Sequence, residues 1–233
     1  MDLIDDLTRN QLRERLAGLA GPVELRLYRS ADSGRLVLPA GVGCATCDTT
    51  EDLLRALVEA APDRITLSVI DVSASGHRSI DVPSVTVAAP GEEPRIRFQG
   101  LPAGYEFATL LDAIERVSAA AAELTPEVSQ QLAQLDEDVE VMVFVTPTCP
   151  YCPGAASMAN RMAISAPRVR SVVVEANEFD SLSRRFGVQG VPKTVVNRSR
   201  GFVGALPEKR FVQTVLELAG KTGERFVSGG DFE

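Results

Sequence analysis

The sequence predicts an α/β fold that is built twice along the chain. Two cysteine pairs of equal spacing, Cys44-Ala45-Thr46-Cys47 and Cys149-Pro150-Tyr151-Cys152, begin 105 positions apart and contain all four cysteines. Each pair is embedded in the same order of helical and strand patterns. A chain of 233 residues is long enough for two domains of about 110 residues each. We therefore predict an N-terminal domain over residues 1–120 and a C-terminal domain over residues 121–233.

The first half has the pattern of a helix, a strand, a helix, three strands and a helix. Leucines at helical spacing over residues 3–19 predict an amphipathic helix that ends at Gly21-Pro22, and alternating apolar residues over 23–28 predict a strand. The segment from Asp48 to Glu51 has the pattern of a capping box. If this cap forms, the next helix begins after Cys47, and Cys44 does not benefit from the helix dipole. The remaining predicted elements are strands over 65–70, 85–88 and 95–98 and a helix over about 103–122.

The second half repeats this pattern. Thr125 and Pro126 predict the N-cap and first residue of a helix. The predicted elements that follow are a strand over 139–145, a helix from Cys149, strands over 168–174, 194–197 and 201–204, and a helix over 208–219. Short segments also correspond between the halves, residues 80–85 with 189–195 and residues 98–102 with 202–207. These matches support a duplication.

The composition is that of an ordinary acidic globular protein. Hydrophobic residues make up 45% of the chain, charged residues 24%, and the formal net charge is −8. This charge disfavours nucleic acid and anionic membrane as main partners. The chain begins with the acidic segment over residues 1–6 and contains no run of about 18 apolar residues. We expect a cytoplasmic protein.

The second cysteine pair has the setting of a redox site. A thiol attacks as its thiolate, and an ordinary cysteine is mostly protonated at neutral pH. An apolar strand over residues 141–145 leads through a short turn to Cys149, so this sulfur should lie at a helix N-terminus, where free N–H groups favour negative charge. We expect Cys149 to form a mixed disulfide with the substrate and Cys152 to resolve it. The single histidine, His77, lies in a polar segment predicted to be a loop, which disfavours cysteine-protease chemistry.

A Val-Pro step follows each pair. Pro192 lies 43 residues after Cys149, and Pro83 lies 39 residues after Cys44. If these peptide bonds are cis, the backbone of Val191 or Val82 could lie beside the cysteines and pair with an extended substrate segment. The alternative is a trans proline that begins a strand.

The strand, the CPYC motif, the helix and the later Val-Pro together resemble a thioredoxin or glutaredoxin domain. Two such domains in tandem resemble the protein disulfide oxidoreductases of thermophilic archaea and bacteria, the glutaredoxin-like proteins. The segments that carry the resemblance cover residues 143–153, 100–107 and 205–209.

The resemblance implies two thioredoxin-like folds, each with a central mixed sheet flanked by helices, and thiol-disulfide exchange on protein substrates. It implies no cofactor other than the redox-active disulfides, with electrons supplied by a thioredoxin-reductase-like flavoenzyme. Cys149 and Cys44 would attack, and Cys152 and Cys47 would resolve. The substrate-binding residues it implies are Tyr151, Val191, Val82 and the two prolines, Pro192 and Pro83, which it expects to be cis.

The first half departs from the family pattern. Residues 31–43, rich in turn formers, separate the first strand from Cys44, and Asp48 places negative charge near the pair, which opposes a thiolate. We therefore predict that Cys149 and Cys152 form the main site and that Cys44 and Cys47 form a slower, auxiliary or relay site.

Three other functions compete with this interpretation. The four cysteines could bind a structural Zn²⁺, but 101 residues lie between the pairs, whereas zinc ribbons use about 15 to 20. A binding or chaperone module could use the groove beside Pro192 without redox chemistry. An electron relay to a peroxiredoxin is a third possibility, and the second cysteine pair argues mildly against it because such doubled units usually retain one pair.

Overall fold

The structure is a computed structural model that describes residues 6–30, 44–72 and 80–220. The elements of the first half are α1 (Asp6–Leu16), β1 (Val23–Arg29), α2 (Cys47–Ala60), β2 (Ile65–Asp71), β3 (Ser84–Ala88), β4 (Ile96–Gln99) and α3 (Tyr105–Ala119). Those of the second half are α4 (Pro126–Ala133), β5 (Val139–Val145), α5 (Cys152–Ser165), β6 (Val169–Glu175), α6 (Asp180–Arg185), β7 (Lys193–Val196), β8 (Arg200–Val203) and α7 (Glu208–Leu218). Residues 31–43 and His77 lie outside the described residues.

Each half contributes four strands with the same connectivity. In the first half β1 pairs with β2 in parallel and with β3 antiparallel, and β4 pairs antiparallel with β3. In the second half β5 pairs with β6 in parallel and with β7 antiparallel, and β8 pairs antiparallel with β7. The predicted α/β class, with a mixed sheet and flanking helices, is confirmed.

The two halves share one sheet. β4 pairs in parallel with β6, with Ile96 opposite Ser171 and Gln99 opposite Val174. The result is an eight-stranded sheet in the order β2-β1-β3-β4-β6-β5-β7-β8. Since β4 and β6 each lie at the edge of their own four strands, their pairing converts two edges into one internal contact. The domain boundary at residues 120/121 stays a prediction, and α3 ends next to it at Ala119.

The hydrophobic core is continuous across this junction. On one face of the sheet α3 of the first half packs beside α5 of the second, and both belong to a single cluster with strand residues of both halves, such as Val85 and Val143. On the opposite face of the sheet, apolar residues of β5, β6 and β7 form a smaller cluster. Leu182 of α6 and Phe186, just after it, cover this cluster. Burial of β5 on both faces explains its nearly continuous apolar sequence.

The structure corrects three details of the predicted elements. The sequence pattern did not predict α6. The second pair's helix begins at Cys152 instead of Cys149, and α2 begins at Cys47 with Thr46 as its N-cap residue, so the capping-box interpretation of Asp48 to Glu51 is wrong. The predicted positions of Thr125 as N-cap and Pro126 as first residue of α4 are confirmed. Over the described ranges, no helix combines the length and apolar character needed to cross a membrane.

Candidate active site

Cys149 and Cys152 lie between the end of β5 and the beginning of α5. The Cys149 N–H donates to the Thr146 carbonyl at 3.2 Å, and the Cys152 N–H donates to the Cys149 carbonyl at 3.3 Å. These bonds form a tight turn that places Cys149 just before the first turn of α5, where the helix exposes its free N–H groups. Cys149 therefore still lies next to the helix N-terminus, although the helix begins three residues later than predicted.

The two thiols differ in their access to solvent. Both are free, with Cys149 9% exposed and Cys152 completely buried. Tyr151, between them, is 71% exposed and projects from the site. Burial raises the pKa of the Cys152 thiol, and the neighbouring Cys149 and Glu106 raise it further. Cys149 is thus the more exposed of the two cysteines, and Cys152 is a protonated thiol held behind it.

Val191 and Pro192 lie next to Cys149. The Cys149 thiol donates to the Val191 carbonyl at a sulfur–oxygen distance of 3.7 Å. The Val191-Pro192 peptide bond is cis, as is Val82-Pro83 in the first half, so the cis conformation implied by the family resemblance is confirmed. The carbonyls of Pro192 and Pro83 accept equivalent bonds, from the Gly204 N–H at 2.8 Å and the Gly100 N–H at 2.9 Å.

Glu106 of the first half lies close enough to the second-half site for its charge to act on Cys152. It occupies the first turn of α3, is 2% exposed, and neither carboxyl oxygen has a hydrogen-bond partner among the described residues. Burial raises the pKa of Glu106 to about 7, and the nearby Thr109 hydroxyl only partly opposes this rise, without completing a hydrogen bond. An unpartnered buried carboxyl next to a redox thiol is a candidate acid–base group.

The start of α3 is fixed against the loop before Cys149. The Tyr105 N–H donates to the Pro147 carbonyl at 3.0 Å. Gly104 permits this approach, because its φ is 60° and a Cβ at this position would stand 2.3 Å from the Pro147 oxygen. The backbone of the first half thus holds Glu106 beside the cysteines of the second.

The sequence contains a signal that Glu106 is buried. Leu110, Ala113 and Ile114 follow it at helical spacing and lie on the buried face of α3. A carboxylate in register with such an apolar stripe is expected to be buried, and a buried carboxylate is more often functional than one on the polar face.

Cys44 and Cys47 are joined in a disulfide, with Cα atoms 5.4 Å apart. Cys44 is 5% exposed and Cys47 is completely buried. As at the second pair, the helix begins at the second cysteine, so the helix start does not distinguish the two sites. Asp48 pairs with Arg29 at 2.6 Å, which offsets the negative charge that the sequence placed there.

Over the part of the chain that the structure describes, no three histidine, cysteine, aspartate or glutamate side chains converge in a way that could hold a metal ion. Each cysteine pair lies at the start of its own helix, with the first cysteine before the helix and the second as its first residue.

Comparison with known proteins agrees with this architecture. The thioredoxin domain family matches residues 139–217. The structure of a protein disulfide oxidoreductase from Aeropyrum pernix K1 superposes with a TM-score of 0.81 and 29% identity, covering 94% of this chain and 96% of that one. The chain is a tandem of two thioredoxin-like folds.

The tandem fold is also shared with part of a larger reductase. An N-terminal domain of the alkyl hydroperoxide reductase AhpF of Enterococcus faecalis superposes with a TM-score of 0.79 at 20% identity, covering 91% of this chain and 99% of that one. The AhpF proteins of Xanthomonas campestris pv. phaseoli and Staphylococcus aureus strain NCTC 8325 are 28% and 26% identical over 63% and 75% of this chain. The chain spans only 26% and 32% of the lengths of these two relatives.

Proposed function

We propose that this chain is a protein thiol–disulfide oxidoreductase whose main site is Cys149 and Cys152. The observation that carries the proposal is the placement of Cys149, the more exposed of the two cysteines, against the Val191 carbonyl, with Cys152 buried near Glu106. The likeness to the Aeropyrum pernix protein disulfide oxidoreductase supports it.

In the first step the Cys149 thiolate attacks one sulfur of a substrate disulfide. A bond forms between these two sulfurs, the substrate S–S bond breaks, and the departing sulfur leaves as a thiolate that takes up a proton. The half-buried backbone of Val191, next to cis Pro192, offers hydrogen-bonding groups to an extended substrate segment. Tyr151 adds exposed aromatic surface at the same place.

In the second step Cys152 resolves the mixed disulfide. Its thiol gives a proton to the Glu106 carboxylate, its sulfur bonds to Cys149, and the remaining substrate sulfur is released as a thiolate that is then protonated. Two electrons have passed from the Cys149–Cys152 dithiol to the substrate. A carboxyl with a pKa of about 7 suits this transfer, because the best general base titrates near the operating pH.

The dithiol must then be regenerated. We propose a thioredoxin-reductase-like flavoenzyme as the electron donor and the cytoplasm as the compartment, where such systems keep thiols reduced. The roles of Cys44 as attacker and Cys47 as resolver, with Val82 and Pro83 beside them, belong to the same proposal for the first, slower site.

Serine variants test the main proposal with a disulfide-bonded protein such as insulin as substrate. Cys149→Ser should abolish reduction, and Cys152→Ser should stop at a mixed disulfide detectable by mass spectrometry. The matched double variant Cys44→Ser/Cys47→Ser should keep most of the activity. Full activity of Cys149→Ser/Cys152→Ser would refute the assignment of the main site. Substrate capture that survives replacement of all four cysteines would favour the binding-module alternative.

The relay of electrons to a peroxiredoxin is a second candidate. It is favoured by the similarity to the AhpF proteins of alkyl hydroperoxide reductase, over a region that is only part of their length. Comparing the rates of reduction of an oxidised peroxiredoxin and of insulin by the same dithiol distinguishes the two. A strong preference for the peroxiredoxin identifies the relay, and equal rates identify a general protein disulfide oxidoreductase.

A further inference from the structure

The hydroxyl of Thr46, between the two cysteines of the first pair, is bound by the second half of the chain. Thr46 is the N-cap residue of α2, where a threonine oxygen usually accepts an N–H bond from the first turn of the helix. Here it makes no capping bond. The Thr46 hydroxyl donates to Glu178 Oε2 at 2.6 Å.

Glu178 is held in place by contacts to both halves. It follows β6, and its other oxygen, Oε1, accepts the Leu101 N–H of the first half at 2.8 Å. Its own N–H donates to the buried Glu175 carboxylate. Gly100 leaves room for this arrangement, because a Cβ there would stand 2.7 Å from Glu175 Cβ and 3.3 Å from Glu178 Cδ.

The same arrangement places Glu178 at the first redox site. Gly100, beneath its carboxylate, donates its N–H to the carbonyl of cis Pro83, which is the counterpart of Pro192 at the second site. Glu178 therefore reaches both the residue between the cysteines and the neighbourhood of the proline.

Among the described residues, no cation pairs with the charge of Glu178. Its carboxylate accepts the Thr46 hydroxyl and the Leu101 N–H. Asp48 and Glu51, in contrast, both pair with Arg29. Among the described residues, other charged groups toward this end of the first half include Asp71 at the end of β2, Asp81 before the cis proline, and Glu175.

We propose that Glu178 is a positioning residue that keeps the first redox pair in its slow state. Its negative charge disfavours a second negative charge on Cys44 in the reduced pair, and it engages the hydroxyl proton that Thr46 could otherwise offer to that sulfur. The first pair thereby has a smaller thiolate fraction at neutral pH, and it reacts more slowly in the exchange chemistry of the proposed function, on which this inference rests.

The test measures the Cys44 thiol alone. In a Cys47→Ser/Cys149→Ser/Cys152→Ser background Cys44 is the sole cysteine, and its alkylation rate by iodoacetamide as a function of pH gives its pKa. Adding Glu178→Gln removes the charge, while the glutamine oxygen can still accept the Leu101 N–H and the amide NH₂ can donate to the Thr46 hydroxyl oxygen. The alkylation rate at pH 7 should rise about threefold, with the pH profile displaced to lower pH.

Glu93→Gln is the matched control. Glu93 also bridges the halves, through Arg170 at 2.8 Å, so its replacement removes one carboxylate from the interface without touching the first pair. In the Glu93→Gln variant, the pH profile of Cys44 alkylation should be unchanged. An unchanged profile for Glu178→Gln, or an equal displacement for Glu93→Gln, overturns the inference. Because the readout needs no substrate, it stands apart from the activity assays that test the proposed function.

Discussion

At the scale of single residues, the site depends on side chains that the cysteine motifs do not contain. Glu106 comes from the first half and lies beside Cys152, and Glu178 comes from the second half and binds Thr46. Each redox pair is thus completed by a carboxylate from the opposite half. Such partners lie far from the cysteines in sequence. Motif spacing could predict the cysteines, and the family resemblance implied the cis prolines, but neither could predict these glutamates.

Glu106→Gln should slow the resolution of the mixed disulfide. Glutamine fills the same space but cannot accept the Cys152 proton, and loss of a general base typically costs about a hundredfold or more in rate. Single-turnover release of the second substrate thiol measures this step, and the first attack by Cys149 should keep its rate. Glu115→Gln, on the same helix but paired with Arg15, is the control. Unchanged release by Glu106→Gln would assign the proton to another acceptor.

Glu106 should also make the reduced protein less stable as the pH rises. The pKa of this carboxyl is about 7 in the folded chain and near 4.5 when unfolded, so the unfolded state loses its proton first. Stability is therefore lost between about pH 4.5 and pH 7, by about 3 kcal/mol in total. Urea unfolding of Glu106→Gln should match the parent at pH 4 and exceed it at pH 8.5. Equal stability at pH 8.5 would contradict the burial of a charged Glu106.

At the scale of elements, the order of helices and strands was largely predictable, because β1, β5 and α2 carry clear apolar periods or runs. α6 was not predictable in the same way. It has only six residues, and its role is to cover Met142, Phe144 and Val174 on the second face of the sheet, which a local pattern does not reveal. The start of α5 lies later than predicted because the turn hydrogen bonds at Thr146 and Cys149 precede its first helical turn.

The junction between α3 and the loop before Cys149 gives a test at this scale. Gly104→Ala should destabilise the protein by about 2 kcal/mol or more and lower the activity of the Cys149 site, since the new methyl group would displace Pro147. Gly91→Ala separates backbone strain from this clash, because Gly91 also has a positive φ, 79°, with no atom within 4 Å of its added Cβ. Gly91→Ala should cost about 1 kcal/mol and leave activity intact. Equal effects of the two variants would remove the argument for a specific contact.

At the scale of the whole molecule, the two halves form one continuous structure. They share a sheet through β4 and β6 and a single core cluster that includes α3 and α5. Polar contacts also cross between them, including the Arg95 side chain to the Ala163 carbonyl at 2.9 Å and the Ser157 hydroxyl to Asp112 at 2.7 Å. The repeated cysteine pairs predicted two folds correctly, whereas their fusion edge to edge depends on tertiary pairing that neither half encodes alone.

This continuity predicts a single unfolding transition. Differential scanning calorimetry of the full chain should show one peak whose calorimetric and van't Hoff enthalpies agree, as for a two-state domain. Two resolved peaks would show that each half is stable without the other. Gly104→Ala should move the whole peak to lower temperature instead of splitting it.

The pairing of β4 with β6 also has an evolutionary consequence. Along an unpaired sheet edge, exposed N–H and C=O groups invite association with other chains. Without the other half, each half would have to shield its edge strand, β4 or β6, in a new way. Exchange of one half between related genes should therefore succeed only where the incoming edge strand matches its new neighbour.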